Sequence, residues 1–237
     1  MTDFYSKLAQ YYDDMYKGLD YKSHSSRLHE IIQENKKTSG NKLLDVACGT
    51  GTHIKYLLDY YDATGYDLSD EMLEVARKKC PNTEFIQGDM VNLNLGRKFD
   101  VITCLFGSIS YLTKEKDLAT TIKKFSQHTI PGGVVIIEPI FTKETYHEGS
   151  LGITSLDLPE IKIARVNATK RVDDIAYLNF HFLISTRENG VEHFIDPSPM
   201  GIFSRDTYLT IMDENGLLTQ FIEPGLTKEG LLIGVKR

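Results

Sequence analysis

Short apolar runs alternate with amphipathic stretches through the first 140 residues of the chain. Lys42 to Ala47, Ala63 to Tyr66, Glu84 to Gln87, Phe99 to Phe106 and Val134 to Pro139 are too short for helices, and each predicts a buried strand. Helices are predicted between them: one after a glycine-containing turn, carrying Tyr56, Leu57 and Leu58, then Asp70 to Lys79 and Lys114 to His128. Two more precede the strands. Asp3 to about Met15 is rich in tyrosine, and Tyr21 to about Lys37 repeats Leu28, Ile31 and Ile32 at helical spacing. Strands separated by helices at this spacing imply right-handed crossovers and one parallel sheet.

After Pro139 the period changes. Ile161 to Arg171, Ile175 to Thr186 and Val191 to Ile195 alternate polar and apolar residues, and Glu188-Asn189-Gly190 between two of them predicts a hairpin. A helix from Arg205 to Asn215 follows, with Ser204 as N-cap and Gly216 as its stop. Strands at Leu218 to Ile222 and Leu231 to Val235 then complete a sheet of seven. The expected architecture is α/β: a doubly wound, mostly parallel seven-stranded sheet from 1–140 and 204–237, with an antiparallel β insertion at 141–203 that forms a pocket for a second substrate.

Composition narrows the function classes. With 237 residues, 41% of them hydrophobic and 25% charged, the chain supports one sizeable core plus a modest insertion. A formal net charge of -6 argues against nucleic acid as a partner. The amino terminus has no basic segment followed by an apolar one, and the longest aliphatic stretch, Val134 to Ile137, is too short to span a bilayer, so neither export nor a membrane partner is expected. Cys48, Cys80 and Cys104 are odd in number and lie outside any Cys-x-x-Cys spacing, which suggests neither disulfides nor a metal site and points to the cytoplasm.

The candidate chemistry begins at Leu43-Leu44-Asp45-Val46-Ala47-Cys48-Gly49-Thr50-Gly51. Glycines at a strand-to-helix turn let the backbone approach a ligand closely. Ala47 occupies the first glycine place of a dinucleotide fingerprint and Asp45 stands just before the turn, where a pyrophosphate would meet its charge; both disfavour a nicotinamide cofactor. Asp67 follows Asp45 by 22 residues and Asp89 follows Asp67 by 22, each at the carboxyl end of a predicted strand. Taken singly, such an aspartate is also a common turn or helix cap. Together with the turn, the three suit one ligand: an acid after the second strand accepts both hydroxyls of a ribose, one after the third accepts an adenine amino group, and Leu68 and Met90 flank a purine.

These motifs, together with Gly65-Tyr66-Asp67-Leu68-Ser69, Gly88-Asp89-Met90 and Pro131-Gly132-Gly133, resemble the class I S-adenosylmethionine-dependent methyltransferases. Leu95-Gly96-Arg97-Lys98-Phe99, Val134 to Pro139, Ile163-Ala164-Arg165-Val166 and His181-Phe182 further resemble the bacterial N,N-dimethyltransferases of nucleotide-linked amino sugars. The resemblance implies S-adenosyl-L-methionine as cofactor and a small-molecule acceptor methylated on an amine, another small acceptor being the alternative and a non-catalytic binding protein a remote one. It implies that Asp45, Ala47, Gly49 and Gly51 face the methionine end, Asp67 the ribose, and Leu68, Asp89 and Met90 the adenine. Phe106 to Tyr111 fall beside the transferred methyl, with Tyr16, Ser108 and Tyr111 orienting the reactants and Tyr5 and Phe106 on the cofactor. Tyr5-x-x-x-Ala9-x-x-Tyr12-Asp13 matches a beginning common among small-molecule methyltransferases. Arg165 and Arg171 are the candidates for a diphosphate, and His181 and His193 for the acceptor pocket. The chain departs from the sugar enzymes at Tyr111, where some carry histidine, and at Glu229, where an arginine can precede the Gly-Leu pair. A homodimer is compatible with this reading.

Overall fold

The computed structural model describes residues 3–237, with side chains from Tyr5 onward; Met1 and Thr2, at the start of the expected 1–140 segment, lie outside the described residues. The chain begins with short helices α1 (Asp3–Lys7) and α2 (Tyr12–Met15), joined by a 3-10 turn, and with α3 (Tyr21–Asn35). Strands and helices then alternate: β1 (Lys42–Val46), α4 (Thr52–Leu57), β2 (Asp62–Asp67), α5 (Asp70–Lys79), β3 (Glu84–Gln87), β4 (Phe99–Gly107), α6 (Glu115–His128) and β5 (Thr129–Pro139). Seven strands follow, β6 (Leu151–Asp157), β7 (Ile161–Ala168), β8 (Lys170–Val172), β9 (Ile175–Tyr177), β10 (Phe180–Thr186), β11 (Gly190–Asp196) and β12 (Pro199–Gly201). The chain ends with α7 (Arg205–Glu214), β13 (Leu217–Ile222) and β14 (Leu231–Lys236).

The main sheet has the order β13-β14-β5-β4-β1-β2-β3. The pairs among β1 to β5 are parallel, whereas β14 runs antiparallel to both β5 and β13. Successive side chains of a strand point to opposite faces, and here both faces are covered. Leu44, Ile102, Val135 and Ile137 pack with Leu118, Ile122 and Phe125 of α6, while Leu43, Val101, Val134 and Ile136 pack with Leu28, Ile31 and Ile32 of α3 and Ile54 and Leu57 of α4. Burying each such aliphatic side chain contributes about 1.5–3 kcal/mol, so the two layers hold the strand ends in fixed places. Local signals agree with this packing. Ser69 caps α5 by accepting from the Met72 N–H, Asp70 and Glu71 occupy its first turn and Arg77, Lys78 and Lys79 its last. Ser204 caps α7 in the same way through the Thr207 N–H, and Gly216 follows the helix with φ +78°.

Between β5 and α7 the strands form two antiparallel sheets, one of order β11-β10-β7-β6 and one of order β12-β9-β8. The expected hairpin is β10 and β11, paired from Thr186↔Gly190 to Phe180↔Asp196. The inner face of the four-stranded sheet, with Leu156, Ile161, Ile163, Phe182 and Ile184, packs on Leu8 and Met15 and on the tyrosines of the amino-terminal segment. Its outer face is apolar and exposed: Leu151, Ile153, Val166, Leu183, Val191 and Ile195 lie there, with Ile153, Val166, His181 and Ile195 in one row across the four strands.

Three expectations from the pattern differ from the structure. The segment from Asp3 to Met15 is broken into three short turns rather than one helix, although Leu8, Tyr11, Tyr12, Met15 and Tyr16, at the spacing of one helical stripe, all pack against one sheet. The runs 161–171 and 175–186 each split: the chain leaves the four-stranded sheet at Thr169, turns within the three-stranded one at Asp173 and returns through Asn179, the last two at positive φ. β6 and β12 are additional, and β5 starts at Thr129, five residues before the apolar run.

Candidate active site

The carboxyl ends of β1, β2 and β3 lie side by side, so their acids form a row. Asp45 is on β1, Asp67 ends β2 and Asp89 follows β3. A cavity of about 550 Å³ opens above this edge, lined by all three acids and by Ala47, Gly49, Leu68, Met90, Phe106, Ser108, Tyr111 and Tyr5. The turn after β1 is left-handed at three alternate positions, Ala47 at φ 57°, Gly49 at φ 54° and Gly51 at φ 71°. For alanine that conformation costs about 1–3 kcal/mol. Asp67 holds the turn in place, its Oδ2 accepting from the Gly49 N–H at 2.7 Å and its Oδ1 from the Ser69 N–H at 2.9 Å. Gly88 permits the next approach, since a Cβ there would run into the Tyr66 ring, whose hydroxyl donates to the Asp89 carbonyl at 3.1 Å.

Burial sets the electrostatics. Desolvation pushes the Asp45 carboxyl up to about 7, against the hydrogen bond it accepts from the Thr103 hydroxyl at 2.7 Å and assisted by the charge of Asp67. Asp67 is also raised by desolvation, and the backbone N–H groups of Ser69, Gly49 and Leu68 act against this. An adenosyl group fits such a wall. Each Asp67 oxygen holds a backbone N–H, and a carboxylate's roughly four acceptor sites are not filled by these donors, which leaves capacity for ribose hydroxyls. Asp89 is exposed, with Val91 N–H on Oδ1 at 3.0 Å, and Leu68 offers 47% of its surface beside the cavity.

Aromatic rings follow one another along the amino-terminal side. Tyr111 meets Tyr5 edge-on at 5.9 Å, Tyr5 neighbours Tyr12 at 6.2 Å, Tyr12 neighbours Tyr16 at 4.7 Å, and Tyr16 meets Phe106 edge-on at 5.4 Å. Such pairs add about 0.5–1.5 kcal/mol each beyond area burial. The hydroxyls of Tyr5 and Tyr111 are hydrogen-bonded at 2.7 Å. Desolvation raises both phenols, Tyr5 well above its ordinary range and Tyr111 up to about 12. Phe106 itself has φ 53°, and its N–H donates to the buried Glu138 carboxylate at 2.8 Å, which also accepts from Thr227 Oγ1 at 3.1 Å. Asp13, from the helix bearing Tyr12, accepts from Thr50 and Thr52 at 2.6 and 3.0 Å and pairs with Lys79 at 2.6 Å, tying the segment to the glycine turn.

Six residues proposed from sequence do not reach this cavity wall. Gly51 is buried and sits against Ala76 and Phe85, so its left-handed φ shapes the turn without touching the cavity. Tyr16 lies one ring behind, its hydroxyl accepting from Arg165 at 2.7 Å. Arg165 is buried, donates also to Thr154 at 2.9 Å and lies over the Phe180 ring at 4.6 Å, which makes it a brace between the insertion and the amino-terminal segment rather than a phosphate ligand. Arg171 is exposed on the three-stranded sheet and pairs with Asp174. His181 and His193 stack on each other at 5.4 Å on the exposed outer face of the four-stranded sheet, because the alternation along β10 sends Phe182 and Ile184 inward. Wall residues absent from that reading include Tyr21, Thr52, His53 and Lys114. Of these, His53 had a signal, since it directly follows the Gly49-Thr50-Gly51-Thr52 turn.

Comparison with known proteins agrees with the geometry. A family profile described as a methyltransferase domain matches residues 43–133. The dTDP-3-amino-3,4,6-trideoxy-alpha-D-glucopyranose N,N-dimethyltransferase of Streptomyces venezuelae is 33% identical over 230 residues, covering 96% of this chain and 97% of that one. Among solved structures, the Streptomyces venezuelae protein DesVI superposes with a TM-score of 0.88 at 32% identity over 97% of this chain and 98% of that one. The S-adenosylmethionine-bound amino pentose methyltransferase from Micromonospora echinaspora gives 0.84 at 26% identity, over 95% and 96%.

Proposed function

Since the chain belongs to the S-adenosylmethionine-dependent N-methyltransferases, in one family with the amino-sugar N,N-dimethyltransferases, we propose that its acceptor is the amine of a nucleotide-linked amino sugar. The observation that carries the choice of acceptor is coverage. The likeness to a sugar enzyme extends over 96% of the chain, through residues 141–203 as well as the cofactor-binding part. We assign Asp67 to the ribose hydroxyls, Asp89, Leu68 and Met90 to the adenine, Asp45, Ala47 and Gly49 to the methionine end, and Ser108, Tyr111 and Tyr5 to the reacting amine. Lys114, the one lysine or arginine on the wall among the described residues, supplies a cation for the acceptor's phosphates in place of Arg165 and Arg171.

When bound, the cofactor supplies an electrophilic methyl group on a sulfonium centre, which a neutral amine takes by direct displacement. The protein's part is alignment. Tyr5 and Tyr111 have raised pKa values and so remain phenols near neutral pH, able to orient an amine by hydrogen bonding but poorly placed to remove its proton. The aromatic rings above the acids exclude water, and positioning of this kind can contribute about 7–11 kcal/mol to a bimolecular step. Residues 141–203 act on this site from behind, through Pro199 on the wall and Arg165 on Tyr16, which supports reading them as the unit that closes the acceptor pocket. The rate should rise with pH until the amine is mostly neutral. A matched panel tests the acceptor: amino sugars should be methylated and their hydroxyl counterparts should not, whereas turnover of the hydroxyl sugars alone would reject the reading.

The molecule works as a homodimer through the outer face of the four-stranded sheet. Four strands about 4.8 Å apart and seven residues at about 3.3 Å make a face of about 19 by 23 Å, roughly 440 Å², the size of the exposed apolar patches that mark interaction sites. Sedimentation equilibrium should show a dimer that Ile153→Arg with Leu183→Arg converts to monomer; a monomeric parent at micromolar concentration rejects it. No described helix is long and apolar enough to cross a membrane, and the three free cysteines, two of them buried, support a reducing compartment such as the cytoplasm.

A further inference from the structure

The carboxyl end of β4 leaves the sheet through two successive left-handed residues, Phe106 at φ 53° and Gly107 at φ 77°. Gly107 adopts that conformation without cost, and a Cβ there would run into Ile140. Phe106 does not, because a bulky residue at positive φ is strained and persists only where its surroundings over-determine it. The kink turns the chain along the cavity, so that Phe106, Ser108 and Tyr111 follow one another on its wall.

Glu138, 3% exposed near the end of β5, supplies the restraint. Its Oε2 accepts from the Phe106 N–H at 2.8 Å and its Oε1 from the Thr227 hydroxyl at 3.1 Å. Burial raises this carboxyl above its ordinary range, and the Phe106 N–H and Thr227 both act against the rise. The two donors therefore reinforce each other: each favours the ionised form, and an ionised acceptor holds the other donor more strongly. Thr227 belongs to the loop of residues 223–230 between β13 and β14, and among the described residues that line the cavity none comes from this loop. The loop is itself tied at that point, since Thr227 Oγ1 accepts from the Glu229 N–H at 3.4 Å and Leu226 packs against the same apolar cluster as Phe106. We propose that Thr227 and Glu138 are positioning residues through which the loop 223–230 holds the Phe106 to Tyr111 turn in the geometry that methyl transfer requires. This rests on the assignment of Ser108 and Tyr111 to the reacting amine.

Thr227→Val, which removes the hydroxyl and nearly keeps the shape, tests it with two readouts. Amide hydrogen exchange should speed up in the peptide covering residues 105–111 as well as in the loop itself. For the amino sugar that the parent methylates, kcat should fall about tenfold, with affinity for S-adenosylhomocysteine within about threefold of the parent. Thr227→Ser keeps the hydroxyl and should restore both readouts. Glu138→Gln, neutral and of the same shape, should move both in the same direction as Thr227→Val, with thermal melting confirming that each variant folds. Faster exchange confined to residues 223–230, or an unchanged kcat in folded Thr227→Val, overturns the proposal. Failure of the parent to methylate any amino sugar would instead defeat the acceptor reading, and exchange at residues 105–111 would still decide whether the loop holds the turn.

Discussion

A carboxyl group buried beside a second carboxylate costs stability, and Asp45 is in that position, 3% exposed and within reach of the charge of Asp67. Its folded pKa of about 7 lies above the ordinary 3.8, so between those values the folded protein retains a proton that the unfolded chain releases. Stability from this group is therefore present below pH 4 and is lost as pH rises toward about 7, after which it levels off. Asp45→Asn, which keeps an acceptor for the Thr103 hydroxyl, should melt above the parent at pH 8 and close to it at pH 4, while binding the cofactor less well; a lower melting temperature at pH 8 would contradict the assignment. Asp67→Ala removes an acceptor assigned to two ribose hydroxyls, and hydrogen bonds to charged groups contribute roughly 1.5–3 kcal/mol. Affinity for S-adenosylhomocysteine should fall at least about tenfold without loss of fold, and unchanged affinity would remove Asp67 from the site. Tyr16→Phe and Tyr111→Phe separate alignment from proton transfer. Each should slow turnover less than about a hundredfold, the low end of general base catalysis, and an inactive variant that still binds both ligands would refute a positioning role.

Elements whose signals are local were legible in the chain, and those defined by what packs on them were not. The range of α5, Asp70–Lys79, follows from a Ser69 cap, acids in the first turn, bases in the last and one buried stripe, all within a dozen residues. β3 was equally plain. The amino-terminal segment gave no such notice, since its tyrosines read as one amphipathic face until the sheet they pack against is known. The same limit explains the site residues. Alternation along β10 shows that His181 and Phe182 face opposite ways, but only the fold shows which side is inward. The acids at strand ends were legible because parallel strand order alone places them on one edge, whereas Glu138, which fixes the strained backbone of Phe106, is indistinguishable in sequence from any residue ending an apolar strand. The hairpin is a direct test of how labour divides between elements. Deleting Glu188 to Val191, far from the row of acids, should spare cofactor binding in a protein that still folds; loss of cofactor affinity with an intact circular dichroism spectrum would show that the insertion serves the cofactor as well.

At the scale of the whole molecule, the sheet carries the acids at its edge, the glycine turn and Asp67 hold each other, and the amino-terminal tyrosines are clamped between that edge and the insertion by Asp13 on one side and Arg165 on the other. On the proposed assignment this division sets an electrophile over the acids and a nucleophile under the tyrosines, which is what methyl transfer to a small amine requires. One measurement reaches that claim most directly: incubation of the protein with S-adenosylmethionine and a nucleotide-linked amino sugar, followed by NMR location of the transferred methyl. The account predicts methyl on the amine nitrogen, with S-adenosylhomocysteine formed in equal amount. Methyl found only on a hydroxyl or carboxylate, or no transfer to any amino sugar by a protein that binds the cofactor, would contradict it.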